Sequence, residues 1–416
     1  LGGSNMKIAI IGAGSSYTPE LISGLVDVSE QIDLREVWMH DIDERKLQIM
    51  YGFCQRLVKD RFKLFETKDF VEAVRESSYV VFQFRPGGLK ARKSDEEIPL
   101  KYGLIGQETT GVGGFAAALR AFPVLEKYID YVDKHSEAIV INFTNPSGHV
   151  TEFVLNYLGF QRFIGLCNVP INFLNHLANL LFCKTEDLFV KYYGLNHLSF
   201  VEKVWLKGED VTEKVFQAVS QFEDSEFPNW LITSVKLLMN PYLRYYVSTQ
   251  LMFKKIYEEG TRAEKVIQIE EQLFRKYEVE NKIPAELSQR GGSLYSTAAA
   301  RLIRDLTLSN NSVHIVNTRN NGAIDNLPND YVMEVACLTK ASRVLPITVG
   351  SADPFAVGLI HTVKMYERLT IEAYLRKSKA TAIKALLLHP LGPRSHNVRE
   401  LLEEICQANR GYFELL

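Results

Sequence analysis

The chain has 416 residues, enough to bury more than one core, so two lobes are the expected arrangement. Hydrophobic residues at 46% and charged residues at 24% describe an ordinary globular composition, and a net charge of −2 without a Lys/Arg block argues against nucleic acid or an anionic membrane as partner. No apolar run reaches membrane-spanning length. The five cysteines (Cys54, Cys167, Cys183, Cys337 and Cys406) are odd in number and form no CxxC pair, which suits a reducing cytosol better than a disulfide framework.

Leu1–Asn5 (LGGSN) precede Met6 and read as an expression scar. Met6-Lys7-Ile8-Ala9-Ile10-Ile11 is a compact apolar strand that runs into Gly12-Ala13-Gly14-Ser15-Ser16-Tyr17. A helix is expected next, with Thr18 as N-cap and Pro19 in its first turn. Strand, GxG turn and helix open a dinucleotide-binding unit, because the glycines permit a tight turn and bring backbone N–H groups to a pyrophosphate at the helix start. Tyr17 stands where the usual fingerprint has its third glycine. A second strand, residues 36–41, ends in Asp41, at the distance expected for a carboxylate that binds the ribose hydroxyls of NAD and repels the extra phosphate of NADP. A plain glycine turn with a surface Asp is the alternative.

Helical stretches over Glu44–Lys59 and Asp69–Arg75 alternate with apolar stretches at Lys63–Glu66 and Tyr79–Phe84, which implies a Rossmann-like, doubly wound parallel sheet. Arg85-Pro86-Gly87-Gly88 breaks the pattern, and a polar segment with Arg92 follows. Gly106–Gly114 is a Gly-rich loop feeding a helix over Phe115–Lys134. The strand Ala138–Phe143 delivers Asn145 to the carboxyl edge of the sheet, beside the cofactor crevice. Phe163–Leu166 is a further strand, ending at Cys167, and Pro170 opens a helix to Leu181. A cysteine at a strand-to-helix junction sits where open α/β sheets place their ligands. With His197, in the apolar segment Tyr192–Phe200, it offers a thiolate and an imidazole as part of a metal shell. On spacing alone, a buried free Cys and a core His satisfied by a carbonyl are the alternative.

The expected division is an NAD-binding domain over 6–170 and a mainly helical α+β lobe over 171–416 for substrate, metal and oligomerisation, with the boundary between about 170 and 200. Tyr242, Tyr245 and Tyr246 fall at i, i+3, i+4 and so share one face of a helix, by itself a packing pattern. Arg262 heads a charged helix running to Tyr277. Gln289–Ser293 is a glycine turn before a helix over Leu294–Leu306. The strands Val313–Asn317 and Tyr331–Cys337 are expected to form a small sheet within the second lobe, and the chain from Asp353 onward is helical.

Taken together, Gly12-Ala13-Gly14-Ser15-Ser16-Tyr17-Thr18-Pro19-Glu20, Arg85-Pro86-Gly87-Gly88, Ile98-Pro99-Leu100-Lys101-Tyr102-Gly103, Gly106-Gln107-Glu108-Thr109-Thr110-Gly111, Asn142-Phe143-Thr144-Asn145-Pro146-Ser147-Gly148, Cys167-Asn168-Val169-Pro170 and Gly194-Leu195-Asn196-His197 resemble glycoside hydrolase family 4, the NAD- and metal-dependent glycosidases. The resemblance spans nearly the whole chain after Met6 and includes Tyr17 in place of the third glycine. It implies NAD+ at Gly12, Gly14, Ser15, Ser16, Tyr17 and Asp41, and a divalent metal, commonly Mn2+, on Cys167 and His197. It also implies sugar contacts from Arg92, Asn145 and Arg262, and Tyr242 as base. In the α-specific branch an Asp after the Cys is the acid for the leaving group. Here Asn168 holds that place; it is carried as a substrate contact and cannot serve as the acid. More narrowly the motifs resemble the 6-phospho-β-glucosidases of that family, which implies activity on a phosphorylated disaccharide, such as cellobiose 6-phosphate, or on an aryl glucoside, and Asn168 points the same way. No proton donor is assigned; Glu108 is a candidate as the acidic residue of the Gly-rich loop. The resemblance also implies a cytoplasmic homodimer or homotetramer, since such substrates arise when sugars are phosphorylated during uptake.

The implied route is transient oxidation at C3 by NAD+, polarisation of the ketone by the metal, removal of the C2 proton by Tyr242, loss of the C1 substituent, addition of water and re-reduction. A free tyrosine titrates near pH 10, so the metal or a cation such as Arg262 must favour the deprotonated form. Three other readings are set against this one. A plain NAD-dependent hydroxy acid dehydrogenase would accumulate NADH, an NAD-sensing scaffold would need no metal, and another family 4 glycosidase, an α-glucosidase or uronidase, is disfavoured by Asn168.

Overall fold

The computed structural model describes residues 6–222, 224–290 and 295–416. The expected scar at Leu1–Asn5, the Gly291-Gly292-Ser293 turn and the helix start at Leu294 lie outside these residues. Six parallel strands form first: β1 (Met6–Ile11), β2 (Leu34–His40), β3 (Lys63–Thr67), β4 (Tyr79–Phe82), β5 (Ile139–Asn142) and β6 (Phe163–Gly165). Their spatial order, β3-β2-β1-β4-β5-β6, is that of a doubly wound dinucleotide-binding sheet. β1 and β4 lie side by side at its centre, with Ile8–Ile11 and Tyr79–Phe82 buried, which is why both read as continuous apolar runs. The order in which strands are added reverses between β1 and β4, so their carboxyl ends open the crevice in which such sheets bind ligands.

Two local details depart from expectation. The helix Thr18–Val28 has no side-chain cap. Instead the Thr18 hydroxyl donates to Ala13 O at 2.8 Å and accepts from Gln83 Nε2 at 2.7 Å, tying the turn after β1 to the end of β4. The helix after the Gly-rich loop starts at Gly111 and runs to His135, so Gly113 and Gly114 belong to its first turn. A Cβ at Gly113 would lie 2.1 Å from Gln107 O, and one at Gly114 would lie 2.6 Å from Thr109 O, so these glycines let the loop press against the helix.

A second, antiparallel sheet follows, built from β7 (Leu188–Leu195), β8 (Leu198–Leu206), β9 (Glu209–Asp210) and β10 (Leu238–Met239). β7 and β8 are joined by the two-residue turn Asn196-His197, and the turn places His197 at φ +64. The three tyrosines do not share a regular helix face: Tyr242 lies in a 3-10 turn, Pro241–Leu243, ahead of the short helix Arg244–Val247. The proline opens that turn and Asn240 Oδ1 accepts the Tyr242 N–H; Tyr242 and Tyr245 both face the cleft, with ring centroids 6.1 Å apart, whereas Tyr246 turns to His389 at 3.2 Å.

The expected small sheet of the second lobe does not form. β11 (Val313–Arg319), β12 (Val332–Lys340) and β13 (Arg343–Pro346) extend the first sheet antiparallel beyond β6, giving nine strands in all. β7 packs against β12, and the helix Tyr295–Leu308 packs against Thr18–Val28. Among the described residues no helix is long and apolar enough to cross a membrane.

Candidate active site

A cleft of about 900 Å³ runs along the carboxyl edge of the sheet, from the turn after β1 to the 196–197 hairpin and the Pro241–Leu243 turn. Its lining includes Gly12, Gly14, Ser15, Tyr17, Asp41, Arg92, Asn145, Asn168, His197, Tyr242 and Arg262. Ser16 and Cys167 do not line it. Ser16 is fully buried, with its hydroxyl 3.3 Å from Glu270 Oε2, and Cys167 is buried behind His197.

At the cleft's first end, the Gly12 and Ala13 N–H groups both donate to His40 O at 2.9 Å, folding the turn over the end of β2. Gly12 has φ +88, and a Cβ there would lie 2.7 Å from the Phe84 backbone. The Gly14 N–H donates to Asp41 Oδ2 at 2.7 Å, and a Cβ on Gly14 would come within 2.8 Å of that oxygen. Both glycines are therefore required by close approach. Asp41 is held at the crevice with lone pairs to spare for further donors. Across the turn, Arg290 lies over the Tyr17 ring at 4.4 Å and pairs with Glu270 at 2.8 Å, which also holds Lys46 at 3.0 Å. A tight glycine turn, an uncapped helix start and a carboxylate at the second strand's end fit a dinucleotide.

At the other end, Cys167 Sγ lies 3.6 Å from His197 Nε2. One cation with bonds of about 2.0–2.3 Å bridges such a gap, and a soft thiolate with an imidazole suits a transition-metal ion. Among the described residues no group of three or more His, Cys, Asp or Glu side chains could hold a metal, so Cys167 and His197 supply two ligands of that kind and no third. Burial pushes the His197 imidazole down to about 4, with Glu108 opposing, so the ring is neutral and free to ligate. Tyr242 stacks on His197 with ring centroids 3.7 Å apart and planes 3° from parallel. Burial, reinforced by the charges of Glu108 and Cys167 and opposed by Arg92, holds the Tyr242 hydroxyl well above its usual range.

The arginines between these ends differ in their pairing. Arg92 Nε donates to Glu96 Oε1 at 2.8 Å and also pairs with Glu108. Glu96 Oε2 in turn accepts the Ala263 N–H at 2.7 Å, joining Arg92 to the helix Arg262–Val279. Arg262 donates to Gln289 O at 2.6 Å, and among the described residues it has no carboxylate partner. Glu108, considered from the sequence as a proton donor, is paired with Arg92 and Arg85. Burial would raise its pKa, but Arg92 and Arg85 outweigh burial and hold it below the usual carboxylate range, as an anion.

Three supporting groups escape sequence reasoning. Glu96 is one. Gln107 and Thr109, behind His197, form a second, although their loop is visible from its glycines. The third is Glu334, fully buried in β12, which accepts hydrogen bonds from Tyr192 (2.6 Å), Asn196 (3.1 Å) and Asn317 (3.3 Å) and so anchors the turn that carries His197. A carboxylate inside the apolar run Val332-Met333-Glu334-Val335-Ala336-Cys337 was the available signal.

Comparison with known proteins bears on this cleft directly. The sequence profile described as Family 4 glycosyl hydrolase matches residues 7–183, and that described as Family 4 glycosyl hydrolase C-terminal domain matches 192–392. The chain is 59% identical over 414 residues to the 6-phospho-beta-glucosidase BglT of Thermotoga maritima, covering 99% of this chain and 100% of the relative. It is 36% identical to a 6-phospho-beta-glucosidase of Escherichia coli, covering 97% and 95% of the two. A structure of the Thermotoga maritima 6-phospho-beta glucosidase with manganese, NAD+ and glucose-6-phosphate superposes with a TM-score of 0.96 at 59% identity, covering 99% of this chain and 100% of that one. With both profiles matched and relatives aligned end to end, this chain belongs to glycosyl hydrolase family 4.

Proposed function

We propose that the chain is a 6-phospho-β-glucosidase that binds NAD+ and Mn2+ or another divalent metal and cleaves β-glucosides 6-phosphate, such as cellobiose 6-phosphate, through transient oxidation of the sugar. The observation that carries this reading is the placement of Tyr242 flat against His197, beside Cys167, in the same cleft as the nucleotide turn. The similarity to a Thermotoga enzyme whose structure holds manganese, NAD+ and glucose-6-phosphate supports it.

In this reading Gly12, Gly14, Ser15, Tyr17 and Asp41 hold the dinucleotide. Ser16 contributes by locking the turn to Glu270. Cys167 and His197 hold the metal. Bound together, the two groups supply a hydride acceptor and a Lewis acid. Asn145 and Asn168 present amide groups to sugar hydroxyls. Arg262, without a carboxylate partner among the described residues, takes the 6-phosphate, and Arg92, already engaged with Glu96 and Glu108, contacts the sugar from a fixed position. Tyr242 removes the C2 proton. Its hydroxyl is held protonated by burial, so its action as a base depends on positive charge brought beside it. Asn168, an amide, leaves no acid at the place where the α-specific branch has one, which favours the β-anomer.

The proposal extends to a cytoplasmic homodimer or homotetramer.

The test follows 4-nitrophenyl β-glucoside 6-phosphate in D2O with and without NAD+ and Mn2+. Nitrophenol release that needs both, with deuterium at C2 and no NADH build-up, is expected. Release without NAD+ and with C2–H intact overturns the oxidative route, and stoichiometric NADH would mark a dehydrogenase instead. Tyr242→Phe is expected to lower turnover by roughly 10²–10⁴-fold while NAD+ still binds. Retained turnover in that variant removes Tyr242 from the role of base.

A further inference from the structure

The imidazole of His197 is held on three sides: by the stacked Tyr242 ring, by Cys167 Sγ at 3.6 Å from Nε2, and by Thr109 Oγ1 at 2.7 Å from Nδ1. Which nitrogen carries the proton follows from counting donors along the preceding loop. Gln107 Oε1 accepts the Thr109 N–H at 2.6 Å and the Thr109 hydroxyl at 2.9 Å. A carbonyl oxygen only accepts, and a hydroxyl has a single proton, so that proton is committed to Gln107. Thr109 Oγ1 therefore turns a lone pair toward Nδ1, and the 2.7 Å contact is a hydrogen bond only with Nδ1–H as donor. Nε2 is left with its lone pair directed at Cys167. Gln107 and Thr109 are each 8% exposed and His197 is 5% exposed, so solvent has little access to replace any partner.

We propose that Gln107 and Thr109 are positioning residues that fix His197 as the Nδ1–H tautomer, presenting Nε2 beside Cys167 to a divalent cation. The proposal rests on the reading of Cys167 and His197 as the metal pair. It explains why the loop 107–109 presses so closely on the helix behind it that Gly113 and Gly114 admit no side chain: the approach seats the Thr109 hydroxyl against the ring. Outer partners of this kind govern metal affinity by orienting the ligand and fixing its tautomer. The relay also gives Gln107 a role that packing alone would not. In Gln107→Leu the Thr109 hydroxyl is released, turns round and donates to Nδ1, which drives the imidazole proton to Nε2 and blocks the ligating lone pair.

The full-length native protein, Thr109→Ser, Thr109→Val and Gln107→Leu are compared by two measurements. Histidine 15N spectra of the metal-free proteins read the tautomer of His197. Electron paramagnetic resonance of free Mn2+, with NAD+ and glucose 6-phosphate present, reads metal affinity. Native and Thr109→Ser are expected to share the Nδ1–H tautomer and the same Mn2+ affinity. Thr109→Val and Gln107→Leu are expected to lose that single tautomer and to bind Mn2+ about 10–100-fold more weakly. Native-like spectra in both variants, or Mn2+ affinity within about twofold of native, overturn the relay. If Thr109→Val fails to fold, Gln107→Leu decides alone. Native protein that binds no Mn2+ overturns the metal reading and the relay with it, whereas native protein that binds while both variants bind equally overturns the relay only.

Discussion

Arg92 and Arg262 carry the same charge into one cleft but have different tasks there. Arg92 spends its guanidinium on Glu96 and Glu108, and its pKa is raised by those two carboxylates against the pull of burial. Removing it takes the only paired cation from Glu96 among the described residues and leaves Glu108 to Arg85 at 3.8 Å, so Arg92→Ala is a stability lesion before it is a catalytic one. Arg262 makes its hydrogen bond only to the Gln289 carbonyl and has no carboxylate to share its charge among the described residues. That leaves its remaining donors available to a phosphate. A charge-assisted hydrogen bond contributes about 1.5–3 kcal/mol, which corresponds to roughly 10–150-fold in affinity. Arg262→Ala is expected to raise KM for 4-nitrophenyl β-glucoside 6-phosphate by that factor with an unchanged melting temperature, and to change KM for the unphosphorylated glucoside far less. An equal loss on both substrates would mean that Arg262 does not read the phosphate.

Secondary-structure elements meet at buried carboxylates, and these respond to pH. Asp305 is 2% exposed near the end of the helix Tyr295–Leu308 and accepts from Arg304 Nε (2.8 Å), Asn310 Nδ2 (2.9 Å) and His314 Nε2 (2.8 Å), the last on β11. Burial would raise its pKa, but these hydrogen bonds outweigh burial and hold it below the usual range. A depressed folded-state pKa stabilises the fold fully above the unfolded value of about 3.9, and the contribution fades as pH falls through the folded value. The melting-temperature gap between native protein and Asp305→Asn is expected to be present at all pH values above about 4 and to narrow below it. A gap that stays constant down to pH 3 would show that the ionised form is not what holds helix to strand. Such junctions also mark where sequence reading stops. β1 and the turn after it are legible, because a central parallel strand must be apolar on both faces and the turn tolerates no Cβ at Gly12 or Gly14. β11 and β12 are legible as strands, but an apolar run does not record which sheet it joins. Thr109, Glu96 and Gln107 are invisible for the same reason: their partners, His197, Ala263 and the folded loop, are chosen by tertiary contact. Glu334, equally missed, alone carried a readable signal, as a charge inside an apolar run.

At the scale of the whole molecule, the cleft lies on a seam that the chain crosses more than once. The two family 4 profiles divide the sequence between residues 183 and 192, yet β11–β13 from the second stretch complete the sheet begun by the first. A separate nucleotide-binding unit over 6–170 would therefore lack much of its own support. β6 would lose the pairing of Gly165 with Asn317 and become an open edge. The helix Thr18–Val28 would lose the packing of Tyr295–Leu308. Glu152, fully buried, would be cut off from Lys364 at 3.0 Å and Arg368 at 2.9 Å, leaving an uncompensated charge in the interior. Stranding one buried partner costs about 3–5 kcal/mol, a large share of a typical domain's total stability. The fragment 6–170 is thus expected to show no cooperative thermal transition and no NAD+ binding, although it contains the complete glycine turn and Asp41. Co-expression with 171–416 is expected to restore both. A fragment that melts sharply and binds NAD+ by itself would show that the central parallel strands are self-sufficient and that the returning strands serve the sugar end of the cleft alone.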